Sequence, residues 1–400
     1  MKYQLQALTI CLLIAALSAK QWSNPMKVEP TLSSSIGLNL FMANINKSYV
    51  LYSRPEPNNK TQEFGVKIYD VLNKSLSNFT KLSTDRLYFT ADIQGSGDGE
   101  QILVASAASR HNVIEVPEDG SSFYSIFLTH TNSNSSWSNE ISIDQGSNQT
   151  HIARIDPLLV GVEELGQMYI FYMNIHPNND TSLAVVKYIP DKEDLVSEEH
   201  IIVSENDSLF AFSAAYSYVN ETSILHVVFA GSNSKLMYTF SEDGKNWTEP
   251  IILDDISLSS YMISLAANND IAPSKLFLAY IDSNNITYIK VSNDSGKTWG
   301  KPAKISKKEA SGLSLTVCGD EKKQAAFLLY SSEDKLKLKM FEIEEDGDED
   351  VDSIKAPFKG MKMAGGTIKC HKNGRMYELQ ALATDYEDTI AYLSTMSLKD

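Results

Sequence analysis

The chain has 400 residues, of which 42 % are apolar and 22 % charged, a composition typical of folded proteins and unlike that of disordered or collagen-like chains. Its 51 carboxylates outnumber its 35 lysines and arginines, so the formal net charge is −16. A field of that sign repels phosphate backbones, and we therefore expect no nucleic acid partner. Five of the bases are arginine, at Arg54, Arg86, Arg110, Arg154 and Arg375.

The N-terminus predicts export. Lys2 precedes the apolar run 7–17, and the small residues Ser18 and Ala19 follow it, the pattern of a secretory signal peptide. The run is shorter than the roughly 20 residues that span a bilayer, although an uncleaved anchor is the alternative. We predict a signal peptide over 1–19, a single domain over 20–400, and a secreted or cell-surface protein without a membrane span.

Two further features are typical of exported chains. Cys318 and Cys370 remain once the signal containing Cys11 is removed, and we expect them to form a disulfide, with two buried free thiols as the alternative. Twelve Asn-x-Ser/Thr sequons predict N-glycosylation of surface loops: Asn46, Asn59, Asn73, Asn78, Asn134, Asn148, Asn179, Asn206, Asn220, Asn246, Asn285 and Asn293.

Short apolar runs recur along the chain with a spacing of about fifty residues. They begin near Tyr49, Ile102, Met168, Leu225, Leu276, Ala325 and Met376. Each is followed by a second β-rich run, several are preceded by a third, and sustained helical periodicity is missing after the signal. This pattern predicts an all-β chain of four-stranded units, a β-propeller with six or seven blades, of which seven is favoured. A pair of β-sandwiches is the alternative.

The last unit lacks a fourth strand. We expect residues between Met26 and Ser35 to supply it and to pair the two ends of the chain.

Two turns follow one motif. Ser292-Asn-Asp294-Ser-Gly296-Lys-Thr-Trp299 fits Ser-x-Asp-x-Gly-x-x-Trp, and Ser241-Glu-Asp243-Gly244-Lys-Asn-Trp247 is one residue shorter. A degenerate copy over 130–137 keeps Trp137 but has Asn132 in place of the aspartate. The aspartate can accept backbone N–H groups, glycine permits positive φ, and tryptophan packs on the blade, so every role is structural.

These motifs resemble the Asp boxes (BNR repeats) of the sialidase-like superfamily of β-propellers. The resemblance implies that the boxes lie away from the ligand-binding face, where glycans on Asn246 and Asn293 would project. A sialidase of this fold would hold the substrate carboxylate with three arginines and would use a Tyr–Glu nucleophile pair, an aspartic acid and a Phe/Tyr-Arg-Ile-Pro motif. Tyr52-Ser53-Arg54-Pro55 departs from that motif, and residues 155–374 contain no arginine. Lysine replaces the bidentate guanidinium poorly, so we expect a protein without sialidase activity and with Arg54 as a surface residue.

Other catalytic or metal signatures are weak, and no catalytic residue is assigned. Asp92, Asp98 and Asp282 lie near strand ends and are interpreted as solvated turn residues. Within the acidic run 342–352, Asp346, Asp348, Asp350 and Asp352 alternate as in a calcium loop, but Gly347 is misplaced and the usual final glutamate is missing. An exposed acidic hairpin tip is therefore preferred to calcium, and no cofactor is expected.

The leading hypothesis is a secreted or cell-surface β-propeller that binds an extracellular protein or glycan, or serves as a scaffold, without catalysis. The alternative is a divergent, sialidase-like glycoside hydrolase with a carboxylate pair in the central pocket. The sequence does not indicate the oligomeric state.

Overall fold

The computed structural model describes residues 22–29, 38–44, 46–56, 62–95, 101–109, 124–131, 136–143, 153–162, 167–177, 180–189, 194–195, 199–203, 209–219, 222–231, 235–255, 262–268, 274–319, 324–343, 349–373, 376–385 and 390–399. The predicted signal peptide lies outside these residues. The regular elements within them are β-strands, which confirms an all-β chain.

The strands form six sheets, and because the nine-stranded sheet is described as two units, the units are numbered one to seven along the chain. Units one to three are β2 (Asn39–Asn44), β3 (Lys47–Pro55), β4 (Gln62–Asp70), β5 (Ser75–Leu76), β6 (Thr80–Arg86); β7 (Tyr88–Gly95), β8 (Ile102–Ser109), β9 (Tyr124–His130), β10 (Ile141–Ser142); and β11 (Ala153–Val162), β12 (Gln167–Ile175), β13 (Thr181–Ile189), β14 (Asp194–Leu195), β15 (His200–Val203). Units four and five are β16 (Leu209–Val219), β17 (Thr222–Gly231), β18 (Lys235–Ser241), β19 (Ile251–Asp255); and β20 (Ile263–Ala267), β21 (Leu276–Ile281), β22 (Thr287–Ser292), β23 (Ala303–Lys304). Units six and seven are β24 (Ser311–Gly319), β25 (Gln324–Ser332), β26 (Lys335–Ile343), β27 (Glu349–Ile354); and β28 (Met363–Asn373), β29 (Met376–Asp385), β30 (Ala391–Lys399) with β1 (Met26–Glu29).

Neighbouring strands of a unit pair in chain order, with two departures. β1 pairs antiparallel with β30, so the first strand of the chain is the edge strand of the last sheet. Units two and three share one nine-stranded sheet, because β9 and β11 meet in a parallel bridge between Tyr124 and Ala153. β1 thus supplies the fourth strand of unit seven.

The seven apolar runs form the second strands of the seven units. These strands are covered on both faces, as the fully buried β8, β21 and β25 show. A strand buried on both sides is selected for continuous apolar residues rather than for alternation. The runs are therefore the strongest fold signal in the sequence.

The first strands of the units form a ring. Each contacts the first strand of the next unit, and β28 contacts β2. Side-chain oxygens join successive first strands at equivalent positions. Ser213, Ser264 and Ser314 accept the amides of Leu265, Leu315 and Ile368 at 3.0, 3.2 and 3.1 Å.

The apolar core is divided among the contacts between units. Seven clusters of buried side chains each lie between two consecutive units, and one of them joins unit seven to unit one through Val28, Leu40 and Leu393. Each sheet therefore buries both faces against its neighbours.

The predicted disulfide is confirmed. Cys318 on β24 and Cys370 on β28 are bonded with their Cα atoms 6.1 Å apart. The bond links the first strands of units six and seven.

Candidate functional site

The seven first strands surround a cavity of about 650 Å³. All seven contribute lining residues, and thirteen of the thirty are alanine, glycine, serine, threonine or tyrosine. Its charged lining groups are Asp92, Asp156 and Lys369, and its largest exposed ring is Phe210, which is 46 % exposed.

Asp92 is a buried wall residue, which corrects its interpretation as a solvated turn residue. It is 8 % exposed. One carboxylate oxygen accepts Asn39 Nδ2 at 2.6 Å and the Ile93 amide at 2.9 Å, and the other accepts the Leu159 amide at 2.8 Å. Burial raises the pKa of Asp92, while the charge of Lys369 and these hydrogen bonds offset part of that rise. The side chain takes the place that serine holds at 213, 264 and 314, and it ties three first strands together.

Register shifts occur near the start of β7, β16, β24 and β28 as well, but among the described residues only Asp156 on β11 places a carboxylate at such a shift. The register of β11 shifts between Ile155 and Leu158, where Asp156 has a φ of +52°. Aspartate is one of the few side chains that tolerate this region, yet the conformation costs about 1 kcal/mol or more. Its amide donates to Thr90 Oγ1 at 3.2 Å. Burial raises the pKa of the carboxyl, and its bond to Thr90 limits the rise.

Asp156 and Phe210 lie toward the start of their strands. The Asp boxes join third to fourth strands, which places them at the opposite end of each antiparallel unit. The strand ends that carry Asp156 and Phe210 therefore lie on the side of the molecule away from the boxes.

In the turns of the two complete motifs, the aspartate and serine side chains accept hydrogen bonds from backbone amides. Asp243 accepts the amides of Lys245 and Asn246, both at 2.8 Å, and Ser241 accepts that of Gly244 at 2.9 Å. Hydrogen bonds, with the Asn246 amide first, hold the pKa of Asp243 well below its usual range. Trp247 packs edge-on against Phe171 of the preceding unit.

The second box repeats this arrangement. Asp294 accepts the Thr298 amide, and Ser292 accepts that of Gly296, both at 2.8 Å. Burial acts to raise the pKa of Asp294, but its bonds to Thr298 and Ser292 outweigh burial and lower it. Trp299 packs against Tyr238 of unit four with ring centroids 5.4 Å apart. In the degenerate copy, Trp137 bridges to Thr131, while Asn132 lies outside the described residues.

Each of the three described arginines forms an ion pair with a carboxylate, which lies in the same unit for Arg54 and Arg154 and in the next unit for Arg86. Arg54 pairs with Glu63 at 2.7 Å over the Phe79 ring, and its side chain is 34 % exposed. The same pattern holds for Arg86 with Glu140 at 3.0 Å over Phe127, and for Arg154 with Glu199 at 2.5 Å beside Tyr172.

Among the described residues, no arginine lines the cavity. Arg110 and Arg375 lie outside the described part of the chain.

A tyrosine–glutamate pair is present but does not line the cavity. The Tyr172 hydroxyl donates to Glu199 at 2.7 Å, and Asn174 and Arg154 contact the same carboxylate. Tyr172 is fully buried in the interface between units two and three. This pair is a structural network.

The other sequence candidates divide between described and undescribed residues. Asp282 is a buried turn residue whose carboxylate accepts the Asn284 and Ile286 amides at 3.0 and 2.8 Å. Asp98, Asp346 and Asp348 lie outside the described residues, and only the backbone of Asp350 and Asp352 is described, in β27.

Six of the twelve sequons fall on described residues. Asn46, Asn73, Asn78, Asn246 and Asn293 are exposed, and Asn285 is half-buried with a φ of +58°. The others, Asn59, Asn134, Asn148, Asn179, Asn206 and Asn220, lie outside.

Where the chain is described, no helix is both long and apolar enough to cross a membrane. No described group of three or more histidine, cysteine or acidic side chains is placed to bind a metal ion.

Neither a protein-family model nor a curated protein matches this chain in sequence. Solved structures do resemble its fold. The polysaccharide lyase Uly1 is 9 % identical with a TM-score of 0.55, over 96 % of this chain and 95 % of that protein. An intramolecular trans-sialidase from Ruminococcus gnavus is 12 % identical with a TM-score of 0.51, over 78 % and 94 %.

A leech intramolecular trans-sialidase is 10 % identical with a TM-score of 0.52, over 88 % of this chain and 83 % of that protein. At such identities the likeness concerns the fold alone. The chain has a fold similar to that of the sialidase-like proteins.

Proposed function

We propose that the chain is an exported, seven-bladed β-propeller that binds an uncharged saccharide in its central cavity without catalysing a reaction. Seven units, seven interface clusters and contacts between β28 and β2 support the blade count. The disulfide supports an oxidising compartment outside the cytosol.

The observation that carries this proposal is the chemistry of the cavity. Asp156, Gln94 and Lys369 add a carboxylate, an amide and an ammonium group to the lining, and such groups exchange hydrogen bonds with sugar hydroxyls. The exposed ring of Phe210 can cover the apolar C–H face of a pyranose. Asp156 and Lys369 carry opposite charges, so these two groups together do not favour a charged ligand. No arginine that could bind a ligand carboxylate with two hydrogen bonds is present in the described lining.

The structural neighbours favour a glycan over a peptide as the ligand. By their names, Uly1 is a polysaccharide lyase and the other two proteins are trans-sialidases. The fold is therefore one that presents a glycan site in other proteins.

A glycan array followed by calorimetric titration tests the proposal. We expect at least one neutral oligosaccharide to bind, and Asp156→Asn and Phe210→Ala each to weaken its affinity about tenfold or more. Ile251→Ala is the matched control for Phe210, because Ile251 is 48 % exposed on the edge strand β19. A protein that binds no saccharide, or that loses binding equally in the control, would contradict the proposal.

A glycoside hydrolase is the second candidate, and one observation favours it. Asp92 and Asp156 line the same cavity, and burial raises the pKa of both, as general-acid catalysis requires. Against it, both oxygens of Asp92 are already bound by N–H donors.

A panel of fluorogenic glycosides, sialosides included, separates the two functions. The binding function predicts no turnover by the purified protein. Turnover that is lost in Asp156→Asn would establish the hydrolase, and turnover lost in Arg54→Ala would place Arg54 in an active site.

A further inference from the structure

Lysines gather at one end of unit six, although the protein as a whole is strongly acidic. They occupy the 306–310 loop, the turn between β25 and β26, and the segment joining β27 to β28. The lysine strip is defined as Lys307, Lys308, Lys335, Lys337, Lys355 and Lys362. All of them are exposed except Lys337, which is half-buried.

The three segments that carry these lysines are fastened together. Ser332 Oγ donates to the Glu309 carbonyl at 2.9 Å, and the Met363 amide donates to the Asp334 carbonyl at 3.0 Å. Lys308 forms an ion pair with Glu333. The bond from Lys308, with the charges of Lys337 and Lys335, lowers the pKa of Glu333.

The strip has an excess of positive charge. The six lysines of the strip, together with Lys359 of the same connecting segment, stand against Glu309, Glu333 and Asp334, a balance of +4 within these segments of a protein whose net charge is −16. Units six and seven also contain no sequon, since the last one is Asn293. The nearest, Asn285, lies at the side of the strip, where its carbonyl accepts the Ala310 amide.

We propose that this strip binds a linear anionic polysaccharide, independently of the central cavity. The strip offers no apolar anchor: the exposed large hydrophobic residues among those described are Leu72, Ile201, Phe210, Ile251 and Ile252, none of them in it. Protein interfaces are depleted in lysine and depend on buried aromatic or aliphatic anchors. A protein partner is therefore a poor fit.

Because the rest of the protein is acidic, the shape of an anionic ligand decides whether it can bind the strip without meeting repulsion elsewhere. A planar anionic membrane would face much of the acidic surface as well as the strip and would be repelled. A narrow chain with regularly spaced sulfate or carboxylate groups contacts the strip alone. The disulfide fits an extracellular setting, where polysaccharides of this kind rather than nucleic acids are available.

The test is binding to immobilised heparin at about 0.15 M salt, where exposed charges more than about 8 Å apart are largely screened from each other. We expect the protein to bind and the triple variant Lys307→Gln, Lys335→Gln, Lys355→Gln to lose about tenfold or more in affinity. The dependence of log affinity on log salt should also fall by two to three units, roughly one per lysine removed.

The matched control is Lys74→Gln, Lys245→Gln, Lys297→Gln. It changes the net charge equally at exposed lysines near the opposite end of the molecule, and we expect it to bind as the parent does. Equal circular dichroism and melting temperature of the three proteins establish that folding is unchanged.

Competition identifies the ligand chemistry. Displacement by heparin but not by desulfated heparin assigns sulfate, and displacement by hyaluronan assigns carboxylate; either result supports the proposal. No binding to heparin, equal loss in the control variant, or tighter strip-dependent binding to duplex DNA would overturn it. Self-association that requires the strip and excludes heparin would overturn it as well.

Discussion

At Gly296 the backbone has a φ of +86°, and a Cβ atom there would lie 1.9 Å from the Tyr238 hydroxyl oxygen. Gly360 has nearly the same φ, +85°, but a Cβ atom on it would meet no other atom within 4 Å. We expect Gly360→Ala to lower the free energy of unfolding by about 1 kcal/mol, the cost of the left-handed conformation. Gly296→Ala should cost roughly 2–4 kcal/mol, because it adds a steric clash. Denaturant titration of both variants measures the difference, and equal losses would show that the Asp-box contact with unit four is unimportant.

The burial of His226 leads us to expect that the folded protein is less stable at low pH. His226 is fully buried between Ser217 Oγ and the Tyr238 hydroxyl, each at 2.7 Å, and burial lowers its pKa from 6.5 to about 3. The unfolded chain therefore takes up the proton first as the pH falls. The stabilisation from neutral His226 is complete above pH 6.5 and is lost as the pH approaches 3.

We expect this loss to be no more than about 5 kcal/mol, the free energy that corresponds to a fall of the pKa from 6.5 to about 3. In urea titrations, the difference in stability between the parent and His226→Gln should shrink across that pH interval. His200→Gln, at a half-buried histidine on β15, is the control for the loss of one imidazole. A constant difference for His226→Gln would contradict the prediction.

At the same scale, the hydrogen bonds of Asp243 and Asp294 could be anticipated from the sequence, because they join residues two to four positions apart in the chain. The sequence did not predict Asp156. Its positive φ and its place in the cavity depend on a register shift against β12 and on Thr90 of the preceding unit. The dipeptide Asp156-Pro157 within an apolar stretch was the available signal, since proline in a strand often marks a bulge.

At the scale of strands, the second strands were predictable because they are buried on both faces and read as apolar runs. Inner strands such as β20 and β24 carry small and hydroxyl-bearing residues that line the cavity, so their hydrophobic pattern is weaker. The parallel bridge between β9 and β11 leaves no pattern at all, because a single pair of residues forms it.

The disulfide between β24 and β28 should contribute substantially to stability. It closes a loop of 52 residues, which corresponds to about 4 kcal/mol in the chain-entropy description. We expect Cys318→Ala with Cys370→Ala to lower the free energy of unfolding by about that amount, measured in guanidinium. A reductant should destabilise the parent to the same extent and leave the double variant unchanged; a parent that is insensitive to the reductant would contradict this.

At the scale of the whole molecule, the ring depends on the four residues of β1. This strand supplies Val28, which is 2 % exposed, to the cluster between the last and first units. We expect Val28→Asp to cost about 3 kcal/mol or more, because it buries a charge at the closure. Lys27→Asp, one residue away on the exposed side of the same strand, should change stability by about 0.5 kcal/mol or less.

Thermal melting of the two variants decides this prediction, with deletion of residues 20–35 as the extreme case. Equal melting of the Val28 variant and the parent would show that the ring holds without its N-terminal strand. The need for a closing strand could be predicted from the repeat, because the last unit is one strand short. The fusion of units two and three could not.

The side-chain links between first strands have a consequence for how a ligand would sit. Their serine oxygens repeat around the wall from β16 to β28, and each is already bound to an amide of the next strand. Asp156, Gln94 and Lys369 lie on β11, β7 and β28. The backbone of the wall therefore has an approximate rotational symmetry, but these three polar side chains do not follow it. A ligand in the cavity would for this reason have one preferred orientation rather than several equivalent ones.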